Sequence, residues 1–219
     1  MRPRSFKVGP LVAAVANNIA TSQTPTSSVT LNGALVSGGV AILDTYRRVR
    51  ITTGGDESGK TATIVGQTFG NLQTTDVLAL PASATTVDSA IDFNKVYSIT
   101  LSAAAANALT VGTSPIAGSP WFNCDTYGIP NVSVQVAVSG TVNYTVQQTL
   151  DDPNNTTSGA PIILPYQVNW VNSSDTNVVT ATATKQTNYL FVPAYSRCVL
   201  NSSTNPGFIV VSYIQAGDN

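Results

Sequence analysis

The chain has 219 residues, of which 10% are charged and 42% apolar, with a formal net charge of -1 and no histidine. That balance leaves the counterion release that drives nucleic-acid binding little to act on, which excludes a general DNA or RNA binder. The missing imidazole removes Ser-His and Cys-His nucleophile activation and histidine metal sites together, and no apolar run reaches the roughly eighteen residues of a membrane-spanning helix.

Threonine, serine, asparagine, valine, alanine and glycine supply most of the rest, the vocabulary of strands and turns, so an all-β protein is expected. Residues 1–28 read as an extended basic arm. Arg2, Arg4 and Lys7 precede any acidic side chain, the first of which is Asp44. The apolar stretch Val8 to Ala16 imitates a short signal peptide, but Gly9 and Pro10 interrupt it, and an arm that docks on a partner is the better reading. TSQTPTSSVT has no helix or strand period and reads as a mobile linker.

From Val29 the pattern changes to short strand-like runs: VTLNGALV, GVAILD, RRVRIT, TATIVGQT, TDVLALP, KVYSITLS and ALTVG. Strands at such spacing, without long helical periods between them, indicate a sandwich or barrel; Ser102 to Ala108 reads as a turn. The proline- and glycine-bearing stretch TSPIAGSPWFN marks a boundary near residue 118, giving one β domain over 29–117 and a second over 118–219. The rhythm then resumes. Val132, Val134, Val136 and Val138, and then Val142, Tyr144 and Val146, alternate strictly, so one face is buried, and Ser139-Gly140 between the two runs predicts a hairpin. Asp151 to Pro161 reads as a long, polar, solvated connection. The two halves end alike, in VYSITLSAAAANALTVG and SRCVLNSSTNPGFIVVS, which allows a duplicated sandwich. Cys124 and Cys198 are too few to frame the fold; sequence leaves their pairing open, and two buried thiols are expected.

Gly54 to Thr61, GGDESGKT, matches the phosphate-binding pattern G-x-x-x-x-G-K-[ST]. Such a loop needs a helix after its Lys-Thr, whereas the next residues carry the β-branched alternation of Thr61, Thr63 and Val65. Asp56 and Glu57 also put negative charge where a triphosphate would sit. A hairpin connection is therefore expected here, with no nucleotide and no other cofactor. The adjacent acidic pairs Asp56-Glu57 and Asp151-Asp152 read as turn capping in solvent. Arg47, Arg48 and Arg50 form a second basic cluster. On a strand Arg48 and Arg50 share a face while Val49 and Ile51 point to the core, which makes the two arginines candidates for an acidic partner surface.

The order GVAILDTYRRVRITTGGDESGKTATIVGQTFGN followed by DFNKVYSITLSAAAANALTVGT resembles a β domain that recurs in virion structural proteins of tailed bacteriophages. GIPNVSVQVAVSGTVNYTVQQTLDDP and the closing FIVVSYIQAG resemble the second domain of such proteins. The resemblance covers most of residues 29–219 and rests on an order of patterns. It implies a virion protein that is not an enzyme: a capsid decoration, or cement, protein, homo-oligomeric as a trimer or dimer, bound to the major capsid protein. Arg2, Arg4, Lys7, Arg48 and Arg50 are then the candidate partner-binding residues, with no nucleic acid, membrane or metal involved. A tail or neck adaptor, spacer or fibre protein is the alternative. A receptor- or glycan-binding module is another, with Trp121, Tyr127, Tyr166 and Trp170 as its platform.

Overall fold

The computed structural model describes residues 3–126, 131–155, 157–189 and 191–215. The fold is all-β, built from antiparallel sheets. The first strands are β1 (Arg4–Val8), β2 (Ala20–Gln23), β3 (Val36–Ser37), β4 (Val40–Thr53), β5 (Thr61–Gln67) and β6 (Gln73–Ala79). Next come β7 (Thr86–Leu101), β8 (Leu109–Thr113), β9 (Ala117–Gly118), β10 (Phe122–Asn123), β11 (Val132–Ser139) and β12 (Val142–Thr149). The last are β13 (Val171–Asn172), β14 (Lys185–Asn188), β15 (Tyr195–Ser203) and β16 (Phe208–Gln215).

The chain divides into two compact units. One is continuous, Val12–Pro115; the other is discontinuous, Met1–Leu11 with Ile116–Asn219. The continuous unit is a single sheet in the order β2-β8-β4-β7-β5-β6, with β3 on β4. Its core faces alternate as the β-branched runs predict: Val49, Ile51, Ala62, Ile64, Val96 and Ile99 are fully buried. The segment expected to be a mobile linker is bound into this sheet. β2 pairs with β8, Ser28 bridges Thr100, and Leu101 N–H donates to Ser27 O at 2.7 Å, so residues 20–29 join β8 to the far end of β7. Backbone hydrogen bonding supplies the order that composition lacks.

In the discontinuous unit one sheet runs β1-β16-β11-β14 and the other β10-β15-β12-β13, with β9 on β15. Their inner faces share one core containing Val8, Leu11, Val134, Tyr144, Cys198 and Tyr213. The expected arm is therefore not free from Arg4 onward, since β1 pairs with β16 along its whole length and sends Val8 into the core. The Ser139-Gly140 hairpin is also replaced. β11 and β12 lie in different sheets and are not bonded to each other, so Gly140, at φ +75°, turns a corner between sheets. A Cβ there would lie 2.9 Å from Gly207 Cα, in the matching corner between β15 and β16. Alternation along two successive strands is the same whether they pair or face each other across a core.

Candidate functional site

The loop with the phosphate-binding letters joins β4 to β5, two strands separated in the sheet by β7, so it is a crossing connection and not the expected hairpin. A strand, β5, begins at Thr61, with no helix to present amide groups to a phosphate. The loop binds its own carboxylate instead. Glu57, 1% exposed, accepts from Lys60 Nζ at 2.6 Å, from the N–H groups of Ala106 and Asn107 at 3.1 and 2.5 Å, and from Asn107 Nδ2 at 3.2 Å. Burial works to raise the Glu57 pKa, but the donors from Lys60, Ala106 and Asn107 outweigh it and bring the carboxyl down to about 2. Gly55 lets the Asn107 side chain approach closely: a Cβ there would lie 2.5 Å from Asn107 Oδ1, so that side chain would have to shift. The lysine that would reach a nucleotide is thus consumed in a loop-to-loop staple. Titration with ATP, followed by calorimetry, is expected to give no saturable heat for the wild-type chain or for Lys60→Ala; binding lost in that variant would reverse this assignment.

The arginine cluster is likewise turned inward. Arg47 is 1% exposed and lies on the same strand face as the buried Val49 and Ile51. Its Nη1 donates to both oxygens of Asp44 at 3.0 Å and to Val12 O at 2.9 Å. Its Nε donates to Ser114 O at 2.9 Å, and Nη2 donates to the same carbonyl. Arg47 therefore gathers the first and nearly the last residues of the continuous unit. Arg48 and Arg50 share a face, opposite Asp92 and Asp88 on β7, and Arg50 makes a two-point pair with Asp88 at 2.7 and 2.8 Å. The carboxylate that Arg50 meets belongs to the chain itself. Sequence alone carried a signal for Arg47: it keeps the parity of Val49 and Ile51, and an acid lies three residues before it.

Arg2 lies outside the described residues. Arg4 and Lys7 are exposed on β1, with the Lys7 ammonium 4.1 Å from the Phe208 ring centroid. Lys7 borders the outer face of the β1-β16-β11-β14 sheet, which is almost free of charge. One row across all four strands reads Ser5, Ser212, Gln135 and Gln186, with the two serine hydroxyls 2.8 Å apart. A shallow depression there is lined by Pro3, Ser133, Gln135, Gln186, Ser212 and Ile214. Lys7 is the one charged side chain on this face among the described residues. In the continuous unit the outer face of β6-β5-β7 is similar: Thr63 lies between Val77 and Thr100, and Val65 between Thr75 and Ser98. Each of these hydroxyl and amide groups can both donate and accept.

The aromatics pack on one another. Trp121 meets Trp170 edge to face at 5.0 Å and Tyr195 at 6.0 Å, and the Arg197 guanidinium lies 4.1 Å over the Trp170 ring. Arg197 Nε donates to Gln147 Oε1 at 2.9 Å, and the Tyr195 hydroxyl accepts from Asn154 Nδ2 at 2.7 Å and donates to Asp152 Oδ1 at 3.2 Å. A sugar platform needs an open ring face, and the Trp170 face under Arg197 is already covered. Tyr166 is half-buried, and Tyr127 lies outside the described residues. Cys124 and Cys198 are both buried and free, and burial pushes the Cys124 thiol up to about 12, so neither is an activated nucleophile. Among the described residues no group of three acidic or cysteine side chains forms a metal centre, and no helix is long and apolar enough to cross a membrane. No protein-family model matches the chain, and no curated protein matches it.

Proposed function

We propose that the chain is a structural protein of a tailed-phage virion: a homo-oligomeric decoration, or cement, protein that binds the major capsid protein and stabilises the shell. The observation that carries this reading is the pair of sheet faces, one in each unit, that present hydroxyls, amides and small apolar groups with almost no charge. Such a face loses little on desolvation compared with one rich in lysine and glutamate, and suits permanent contact with a neighbour. The ordered resemblance to virion β domains points the same way, and the titratable groups of the GGDESGKT loop are occupied in holding that loop.

The mechanism is mass action. Many copies that bind only the assembled shell favour the closed state by RT ln(1 + [L]/Kd) at each site, about 2.7 kcal/mol when the free protein is at one hundred times Kd. No chemistry is asked of the chain. The test is the copy number of this protein relative to the major shell subunit in purified particles, by quantitative mass spectrometry. A ratio near that of the shell subunits is expected. A ratio matching a single ring would move the protein to the neck or tail, and absence from particles would end the virion reading.

A further inference from the structure

Between β12 and β13 the chain leaves its sheet and returns to the same place. Asn169 donates to Asp151 Oδ2 from its backbone N–H at 2.7 Å and from Nδ2 at 3.0 Å, closing the base of the excursion. The loop is also tied near its start by the contacts of Asp152 and Asn154 with Tyr195. A closed loop of this length without strands of its own is uncommon unless it is functional. Its first part, Asp151 to Ala160, has the polar composition of a solvated connection, and its tip is the opposite: Pro161-Ile162-Ile163-Leu164-Pro165.

Ile162 is 87% exposed and Leu164 43%, and at the foot of the loop Leu150 and Val171 are 72% and 61% exposed. Large exposed apolar side chains of this kind, rimmed by polar residues, mark interaction sites. The tip is also held in shape. Gln167 N–H donates to Leu164 O at 2.8 Å and Leu164 N–H to Gln167 Oε1 at 3.0 Å, which satisfies the backbone at Leu164 locally and leaves its side chain facing out. The ordering cost of Leu164 on binding is reduced accordingly.

We propose that this loop is the docking element of the protein, and that its Ile162–Leu164 tip seats in an apolar, uncharged groove of the major capsid protein. The inference rests on the shell reading above. The character of the groove follows from charge: no charged residue occurs from Pro153 to Val168, so a charged wall would be desolvated against the tip without a partner.

The experiment is co-sedimentation of the full chain with empty shells assembled from the major capsid protein of the same particle. It compares wild type, Ile162→Asp/Leu164→Asp and the conservative Ile162→Leu. Wild type and Ile162→Leu are expected to bind saturably and the double variant at least about tenfold more weakly, with an unchanged melting temperature because both side chains are exposed. A double variant that binds as tightly as wild type overturns the docking role and leaves the shell reading intact. Wild type that fails to bind shells overturns both. A double variant that keeps shell binding but loses self-association in light scattering assigns the loop to a second copy, and also overturns the proposal.

Discussion

Replacing Arg47 by methionine is expected to destabilise the continuous unit by about 3–5 kcal/mol, the usual cost of removing one partner from a buried charged network. Methionine keeps much of the stem volume, so the loss is polar. Asp44 loses its two-point partner, and the carbonyls of Val12 and Ser114 lose donors in a site where Arg47 itself is 1% exposed. For a unit of this size each kcal/mol moves the melting temperature by about 4–8 °C, so the effect is large enough to read by calorimetry. Hydrogen exchange in β4 and β8 should rise first, because Arg47 ties the end of β8, through Ser114, to the middle of β4. The double variant Asp44→Asn/Arg47→Met is expected to recover part of the loss by removing the stranded carboxylate. A loss under about 1 kcal/mol for Arg47→Met would show that water replaces the guanidinium and that the network is not structural.

Glu57→Gln is expected to cost about 1–3 kcal/mol at neutral pH, as a charged acceptor with four donors becomes a neutral one. The larger effect is on acid stability. A carboxyl lowered in the folded state from its ordinary 4.5 to about 2 contributes stability that is fully present above 4.5 and is lost as pH falls through that window. Asp76 acts in the opposite sense. It is buried, and although the Ala90 and Ile91 amides bond to it, burial pushes its carboxyl up, so its protonation favours the folded state as pH falls. Asp56 and Asp175, held low by hydrogen bonds from Ser58 and Asn177, add to the wild-type acid slope in the same sense as Glu57, and the difference between wild type and Glu57→Gln isolates Glu57. Melting temperatures taken from pH 6 down to pH 2 should converge for the two proteins toward the acid end. Parallel curves would mean that Glu57 titrates alike in the folded and unfolded chain.

The alternation of Val132 to Val138 is enough to establish a half-buried strand, because side-chain period and burial are local properties of a pleated chain. The strand after Lys60 is legible for the same reason, through the β-branched Thr61, Thr63 and Val65. Period does not name a partner, however. The pattern that puts Val142, Tyr144 and Val146 against the core is the same whether β12 pairs with β11 or faces it from the other sheet, and the expected hairpin was wrong for that reason.

Partners far apart in sequence were decided by tertiary structure alone. β1 finds β16 some two hundred residues away, which turns an expected arm into an edge strand of the discontinuous unit. Arg50 was expected on a partner surface because sequence shows its strand face and not its neighbours, whereas Asp88 reaches it in the folded chain, as Asp44 reaches Arg47 and Glu57 reaches Lys60. The tip at Ile162 carried the reverse signal, an apolar run that ordinarily means burial, in a loop that holds it outward. The sequence by itself thus determined the all-β class, the face parity of the strands and the near absence of charge. Which strands pair, which charges are spent internally and which apolar groups stay exposed depended on non-local contacts, whose free energy exists only once the chain has closed its loops.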